Sequence, residues 1–209
     1  MSSPDQFSSR SDAELLRLAL DGDESTFVAL YRRLKNGIFR YAFYMTNSRS
    51  TAEEVTQDVF IALLREGGKY RADRGDLAAF TFGIARNLVR RAERKQRSQE
   101  SIPGDRALER LSQEVFAESE SLPGQIIRKD LARRVQAAIA SLPDHYRQVV
   151  VLCDLCEFSY ADAASRLQCA IGTIRSRLNR AHSILAQKLE PLRSSRDSVV
   201  AAGPEGCVI

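Results

Sequence analysis

The sequence predicts an all-α protein of two helical domains joined by a flexible acidic linker. Apolar side chains recur at helical spacing through residues 11–97 and again through residues 125–190, which we take as the two domains. Residues 98–124 between them carry six acids and two arginines, together with two Pro-Gly pairs. We expect a disordered N-terminus over residues 1–10 and a flexible tail over residues 191–209.

The composition is that of a globular protein, which we expect in the cytoplasm. At 209 residues with 44% hydrophobic content the chain can bury substantial cores, and its net charge is only +4. No apolar run approaches the roughly 18–20 residues of a membrane span, and the N-terminus lacks the apolar core of a signal peptide. We do not expect an enzyme, because the two histidines, His145 and His182, have no evident nucleophile and no phosphate-cradling glycine loop is present.

The first domain should begin with a short helix and a long one. Ser11 and Glu14 have the spacing of a capping box, and the helix that they open should end at the turn 21–23. An apolar stripe over residues 27–45 then predicts about five helical turns, which should end at residues 47–48.

The next helix, from Thr51 to Arg65, carries an acidic face in a basic chain. Its apolar residues form one stripe, and Thr51 with Glu54 has the spacing of a second capping box. The exposed side chains that we call the acidic face are Glu53, Glu54, Gln57 and Asp58. A solvated helix face is the ordinary interpretation of this pattern, and a contact for a basic partner is the alternative.

A further helix, from Leu77 to about Arg97, becomes strongly basic in its second half. Gly67 and Gly68 end the preceding helix, and residues 69–76 should form a polar loop. The cations of the basic half are Arg86, Arg90, Arg91, Arg94, Lys95 and Arg97. Because six cations in twelve residues exceed what the helix dipole needs, the pattern favours a surface that faces phosphates.

The second domain has the pattern of a helix-turn-helix unit. A helix over residues 127–139 comes first, and Asp144 should cap the second helix. Ser159 should cap a short helix that ends at Leu167, and after a three-residue turn a longer helix should run over residues 171–189.

The longer helix carries an arginine-rich face without acids. Its cations are Arg175, Arg177, Arg180 and Lys188. In a helix-turn-helix unit the second helix enters the major groove, where arginine pairs with guanine edges or binds phosphates. A purely structural helical hairpin would not need such a face, so the pattern favours DNA binding.

Taken in order, these stretches resemble the sigma-70 family of bacterial RNA polymerase initiation factors, in its two-domain extracytoplasmic-function (ECF) subtype. The polymerase-binding helix of the family's region 2 is similar to AEEVTQDVFIALLRE, and its helix that melts and reads the −10 promoter element is similar to FTFGIARNLVRRAERK. Region 4, which reads the −35 element, resembles SLPDHYRQVVVL followed by SYADAASRLQCAIGTIRSRLNRAHSIL.

The resemblance implies a role for each surface. The acidic face matches the positions that dock on a basic coiled coil in the largest catalytic subunits of the polymerase. Asn87 would hold a flipped non-template base, and Arg90, Arg91 and Arg94 would hold the backbone of the melting strand. The residues that match groove-facing positions for the −35 element are Thr173, Arg175, Ser176, Arg177, Asn179 and Arg180. The acidic linker would lie in the RNA-exit path, where its charge stands in for a transcript.

The chain departs from the family's usual pattern in the second domain. Glu157 stands where the family usually has a turn glycine, and residues 161–163 replace an acidic pair followed by isoleucine, so the first helix of the unit is expected to pack differently. Asn179 occupies a position that is often aromatic, which leaves the promoter sequence open.

Thr51 replaces the leading acid of the family's usual Asp-Ala-Glu-Asp start of the docking helix. A hydroxyl gives the basic polymerase surface less to bind, whereas phosphorylation would add about −1.5 to −2 charges at a helix N-terminus. We therefore hypothesise that docking is weak until a Ser/Thr kinase modifies Thr51. The alternative is an ordinary threonine N-cap in a factor controlled by an anti-sigma protein.

The resemblance implies a non-enzymatic promoter-specificity subunit that binds core RNA polymerase and promoter DNA and needs no cofactor. A stand-alone helix-turn-helix repressor or activator is a second interpretation, but it leaves the acidic and basic helices of the first domain without a role. A third is a helical zinc-binding adaptor that uses Cys153, Cys156, Cys169 and His182, of which the first two have the C-x-x-C spacing. Buried cysteines that behave as small apolar side chains are the simpler interpretation of these residues.

Overall fold

The computed structural model describes residues 7, 9–100 and 123–201, and its secondary structure within those ranges is helical. The α-helices are α1 (Asp12–Leu20), α2 (Glu24–Thr46), α3 (Arg49–Glu66), α4 (Leu77–Glu100), α5 (Pro123–Ala140), α6 (Asp144–Val150), α7 (Tyr160–Leu167) and α8 (Ile171–Ala201). A π-helical turn, Val151–Leu155, continues α6, and two 3₁₀ turns, Gly67–Lys69 and Ala72–Arg74, precede α4. The predicted all-α class with two helical domains is confirmed.

The first domain packs α1, α3 and α4 around the long central helix α2. The apolar stripe of α2 points into this bundle, as its helical spacing predicts. The buried side chains at its centre are Leu15, Leu30, Ile38, Tyr41, Val59, Leu63, Leu77 and Val89.

The helix starts of the first domain are set by side-chain caps, and one of them differs from the prediction. Ser11 and Glu14 form the expected capping box of α1. The N-cap of α3 is Ser48, whose Oγ accepts a hydrogen bond from the Thr51 backbone at 3.3 Å, so the capping box of Thr51 with Glu54 is wrong. Asn47 ends α2 in the left-handed conformation. Only Asn47 and Ser48 therefore connect α2 to α3.

The second domain packs α5, α6 and α7 against the first half of α8. Ser159 caps α7 as expected, because its Oγ accepts from the Asp162 backbone at 3.1 Å. Gln168, in the left-handed conformation, ends α7, and α8 begins at Ile171, so a helix-turn-helix unit is present. Its buried residues are Ala163, Ala164, Ile174, Leu178 and Ala181.

Four sequence predictions on element ends need correction. The N-cap of α6 is Pro143, which makes no side-chain cap hydrogen bond, and Asp144 is the first residue of the helix. Helix α4 continues three residues past Arg97 into the expected linker, and α8 continues to Ala201 into the expected tail. The N-terminal stretch is held at its end, because Arg33 donates to the carbonyl oxygens of Phe7 and Arg10.

The remaining parts of the linker and of both ends lie outside the described residues. These parts include the transient helix expected around residues 108–116. Within the described ranges, no helix is long and apolar enough to cross a membrane.

The two domains pack against each other, which the sequence did not predict. Helix α2 contacts α5 and the π-helical turn, and α4 contacts α7. One cluster of buried apolar residues therefore includes side chains of both domains. We call this the closed arrangement.

Candidate functional site

The acidic face of α3 is exposed to solvent. Glu53, Glu54, Gln57 and Asp58 are all exposed, while the opposite side of the helix is buried through residues such as Val55. The face is less acidic at its start than the sequence indicates, because Arg49 forms an ion pair with Glu53 at 3.0 Å. Glu54 and Asp58 are thus the strongest candidates for a contact with a basic partner.

Two exposed apolar side chains extend the acidic face toward the end of α3. Ile61 and Leu64 are 46% and 43% exposed, although both are large aliphatic residues. Ile61 follows Asp58 by three residues, so the two lie on one side of the helix. This extension was not predicted from the sequence, where its signal is a pair of apolar residues outside the buried stripe.

Thr51 lies in the first turn of α3 and is half-buried. Its hydroxyl hydrogen-bonds the Oγ of Ser48 at 3.0 Å, and Ser48 Oγ lies 3.1 Å from Ser50 Oγ. Three hydroxyl groups thus cluster at the N-terminus of the helix, where the first turn contains no acidic residue. The positive end of the helix dipole is therefore not neutralised by a carboxylate in this turn.

The basic half of α4 carries the residues to which the family resemblance gives a role at the −10 element. Asn87, Arg90, Arg91 and Arg94 are exposed, and the Nε of Arg94 donates to the Arg90 carbonyl at 3.2 Å. Arg86 differs because it is half-buried against the second domain, where it donates to the Arg166 carbonyl at 2.9 Å. Burial lowers the pKa of Arg86 from its usual value.

The N-terminal half of α8 carries the residues to which the family resemblance gives a role at the −35 element. Arg175, Ser176, Asn179 and Arg180 are exposed, whereas Thr173 and Arg177 are half-buried. The Ser176 hydroxyl donates to the Thr173 carbonyl at 3.1 Å, an interaction within the helix itself. Two of the assigned residues are therefore only partly accessible to solvent.

The two basic helices face each other across a cleft between the domains. The cleft has a volume of about 610 Å³, and its lining comprises Arg86, Arg90, Glu93, Arg94, Asp144, His145, Gln148, Leu167 and Arg177. Candidate DNA contacts from both domains thus share one cavity, which the sequence did not indicate.

The departures in the helix-turn-helix unit have structural consequences. Glu157 has a φ of 60°, the left-handed conformation for which glycine is the usual residue. Ala163 is fully buried in the position where the family usually has isoleucine. One turn from it, Arg166 reaches toward the first domain and has a side chain only 7% exposed.

The cysteines proposed as metal ligands are partly buried. Desolvation raises the pKa of both Cys153 and Cys156 to about 11. The Nε2 of His182 lies 2.7 Å from Asp154, a hydrogen bond that occupies this nitrogen. No group of three candidate ligands is placed to hold a metal among the described residues.

Comparisons with known proteins match both domains in chain order. The family model for sigma-70 region 2 matches residues 30–99, and that for sigma-70 region 4 matches residues 132–183. The chain belongs to the sigma-70 family. The region 2 match includes the acidic face and the basic half of α4, and the region 4 match includes the helix-turn-helix unit.

Curated relatives identify the group within the sigma-70 family. The chain is 32% identical to the ECF RNA polymerase sigma factor EcfG of Rhodopseudomonas palustris over 150 residues, which cover 71% of this chain and 77% of EcfG. It is 31% identical to the ECF sigma factor SigE of Mycolicibacterium smegmatis over 162 residues, or 77% of this chain and 60% of SigE. With BldN of Streptomyces coelicolor the match is 34% identical but spans only 29% of that sigma factor. The suspected ECF type is confirmed.

Two solved structures share the fold of this chain. CnrH, solved in complex with the cytosolic domain of CnrY, superposes with a TM-score of 0.64 at 22% identity, covering 87% of this chain and 99% of that one. The sigma factor RpoE of Bartonella quintana, solved with the anti-sigma factor NepR, gives a TM-score of 0.60 at 24% identity, covering 77% of this chain and 94% of that one.

Proposed function

We propose that the chain is an alternative sigma factor that binds core RNA polymerase, directs it to specific promoters and helps to melt the −10 region. The observation that carries this proposal is the position of the acidic face. It is exposed on a helix that packs directly against the basic helix α4, so a polymerase bound to one would present the other to DNA. The chain would supply binding specificity and no catalytic step. Since the partners are polymerase and chromosomal DNA, we place its action in the cytoplasm.

Docking on the polymerase should depend on Glu54 and Asp58. A basic coiled coil of the polymerase complements these exposed carboxylates, and like charges across such a contact oppose binding. We expect the double variant Glu54→Lys/Asp58→Lys to lose most of its affinity for core polymerase in a pull-down or titration. Glu66→Lys is the matched control, because Glu66 is an exposed acid on the same helix outside the acidic face. Equal loss in both variants would contradict the docking assignment.

Recognition of the −10 element is assigned to α4. The side chain of Asn87 is exposed, and Arg90, Arg91 and Arg94 follow it on the same helix at positions that can reach the backbone of a melted strand. Asn87→Ala should reduce open-complex formation at a cognate promoter while leaving affinity for core polymerase unchanged. Asn36→Ala, an exposed asparagine of α2, serves as the control.

Recognition of the −35 element is assigned to the start of α8. Arg175 and Arg180 are exposed on the second helix of the helix-turn-helix unit, the element that enters the major groove. Their alanine variants should weaken promoter binding by the holoenzyme. Lys188→Ala is the control, because Lys188 is exposed on the same helix but lies about two turns beyond Arg180. A promoter-specific defect in the control alone would refute the assignment.

Phosphorylation of Thr51 is our proposal for the control of docking. The hydroxyl cluster of Ser48, Ser50 and Thr51 stands at the positive end of α3, where no carboxylate supplies negative charge. A phosphate on Thr51 would add that charge beside the acidic face. A Ser/Thr kinase would then be the regulator of this factor.

The kinase proposal is tested by comparing Thr51→Ala with Thr51→Glu. The glutamate variant should bind core polymerase and direct transcription several-fold better than the alanine variant, and wild-type protein should gain activity after phosphorylation. Equal binding by both variants would exclude the switch. An anti-sigma factor would then be the favoured regulator, as for the RpoE relative solved with NepR.

A further inference from the structure

The cleft between the two basic helices has an excess of positive charge. Four arginines and two acids contribute to its lining. The arginines are Arg86, Arg90, Arg94 and Arg177. Of the two acids, Glu93 and Asp144, the second already forms an ion pair with Arg147, which is not part of the lining. The cleft therefore attracts anions.

Three of these arginines form one row along α4. Arg86, Arg90 and Arg94 follow each other at intervals of four residues, which places them on one side of the helix over about 12 Å. Like charges repel within the row, because burial and then the charge of Arg90 lower the pKa of Arg86. Arg86 is held in place by its bond to the Arg166 carbonyl at 2.9 Å, which uses one of the five N–H groups of its guanidinium. An anion that bridges the row would relieve this repulsion.

The opposite wall of the cleft comes from the second domain and is less charged. Arg177 of α8 is half-buried in this wall. His145 and Gln148 are three residues apart on α6, so they lie on one side of that helix. Leu167, the last residue of α7, adds a half-buried apolar side chain. This wall thus offers one cation, an amide that donates and accepts hydrogen bonds, and surfaces on which a planar ring can pack.

The size and charge of the cleft define the class of ligand that fits it. Its volume of about 610 Å³ lies within the roughly 300–1,000 Å³ of ordinary small-molecule sites. Arginine binds phosphate through paired N–H groups, so a single phosphate group is satisfied by one or two arginines. Arginines on both walls suit an anion that carries several phosphate groups.

We propose that this cleft binds a small polyphosphate, whose phosphate groups lie between the arginine row of α4 and Arg177. Nucleoside triphosphates and inorganic tripolyphosphate share this chemistry, and the side chains of α6 and α7 offer contacts for a base. The site itself does not depend on the proposed function. Its consequence does, because Arg90, Arg94 and Arg177 contact promoter DNA in that proposal. A bound polyphosphate competes with DNA for these three residues.

Binding is measured by isothermal titration calorimetry of the full chain with tripolyphosphate, GTP and GMP. The titrations use about 150 mM salt, which screens exposed charges beyond about 8 Å. We expect one saturable site per chain for tripolyphosphate and for GTP, and at least tenfold weaker binding of GMP, which has a single phosphate group. Tighter binding of GTP than of tripolyphosphate would assign a nucleotide, and equal affinity would assign the phosphate groups alone. No saturable binding, or equal binding of GMP and GTP, would overturn the proposal.

Four variants that each remove one positive charge locate the site. Arg94→Gln and Arg177→Gln should each weaken tripolyphosphate binding by about tenfold or more, because each loses charge-assisted hydrogen bonds. Arg91→Gln and Arg175→Gln are the matched controls, since both residues are exposed on the same two helices but lie outside the cleft lining. The controls should change affinity by less than about twofold.

Two outcomes of the variant series would contradict the site. Equal weakening in all four variants would show attraction by net charge and no defined site. Unchanged binding in both cleft variants would place the ligand elsewhere. Circular dichroism of each variant establishes that it is folded before its affinity is compared.

Failure of the polyphosphate site and failure of the proposed function give different results. The titrations use the chain alone, so they report the site whether or not the chain directs transcription. A chain that directs transcription with core polymerase but binds no polyphosphate would refute the site only. A chain that binds tripolyphosphate in the cleft but directs no transcription would refute the proposed function only.

Discussion

Glu157 is held in a backbone conformation that an L-amino acid disfavours. Its φ of 60° lies in the left-handed region, and it is followed directly by Phe158, whose ring packs edge to face against Phe82 of the first domain. The left-handed conformation costs a residue with a Cβ about 1–2 kcal/mol, whereas glycine adopts it freely. The sequence placed a turn near Glu157, and the structure confirms that turn.

Replacing Glu157 by glycine should stabilise the protein. The removal of backbone strain exceeds the greater entropy of a glycine in the unfolded chain, so we expect a net gain of about 0.5–1 kcal/mol. Urea unfolding followed by circular dichroism measures the gain. Glu157→Ala is the control, because alanine retains the Cβ and the strain. If alanine stabilises as much as glycine, the cause is the glutamate side chain and not the backbone.

Cys153 and Cys156 should be poor nucleophiles. Burial raises their pKa to about 11 from the ordinary value of 9.0, so their thiolate population at neutral pH is about 100-fold below that of an ordinary thiol. We expect both to resist iodoacetamide in the folded protein and to react after denaturation in urea, with peptide mass spectrometry as the measurement. Rapid alkylation of either cysteine in the folded state would contradict this expectation.

At the scale of the element, α3 shows how a cap is chosen. Ser48 and Thr51 both have hydroxyl side chains that can cap a helix, and the spacing of Thr51 to Glu54 predicted Thr51 as the cap. The structure has Ser48 as the N-cap, because the left-handed conformation of Asn47 ends α2 directly before it. The spacing of apolar residues predicted the helix correctly. The position of its first turn could not be predicted in this way, because it depends on where α2 ends.

Removing the cap of α3 should destabilise the first domain. Ser48→Ala leaves the Thr51 backbone N–H without its acceptor, at a cost of about 1 kcal/mol. Ser50→Ala should cost clearly less, since Ser50 is exposed and its hydroxyl contacts only Ser48. Thermal unfolding of the two variants distinguishes these outcomes. An equal loss in both would show that the hydroxyl cluster, and not the single cap, stabilises the helix.

The start of α2 should make stability depend on acid pH. Hydrogen bonds from the Ser25 hydroxyl and from the backbones of Ser25 and Thr26 lower the pKa of Asp23 below its ordinary 3.8. A lowered pKa stabilises the fold above pH 3.8, and this contribution is lost as the pH falls through the folded-state value. Asp23→Asn keeps a good cap without a titrating group, so its melting temperature should fall less than that of wild type in acid. Asp58→Asn, away from the helix ends, should follow wild type.

At the scale of the whole molecule, the two helices that we propose to face DNA, α4 and α8, belong to different domains. When the chain is open on a promoter, Arg90 and Arg180 should contact distant stretches of one DNA. Each contact releases counterions, with a salt-dependence slope of about 0.7 per phosphate on a single strand and about 0.9 on a duplex.

We expect the losses from Arg90→Gln and Arg180→Gln to add. Each should reduce the slope of log affinity against log salt by roughly one, and the double variant by nearly two, because separate sites with no shared partner are additive. Filter binding of the holoenzyme at several salt concentrations measures the slopes, with Arg17→Gln on α1 as the control. Strong non-additivity would indicate that both arginines contact the same stretch of DNA.

The helices and their exposed faces could be predicted from the sequence, but the contact between the two domains could not. Periodicity placed Glu54 and Asp58 on an exposed side of α3 because that property depends on the helix alone. Their role in docking stays a prediction. Arg166 had no such signal, because its partners Asp76 and Phe82 lie more than 80 residues away and contact it only after both domains have folded.

The covalent connection between the domains changes how strong their contact has to be. Two tethered domains meet at an effective concentration in the millimolar range, so a pair whose separate dissociation constant is about 1 mM would still be closed about half of the time. The contact between the domains, which involves α2, α4, α5, α7 and the π-helical turn, therefore needs only a modest affinity of its own to keep the chain closed for much of the time.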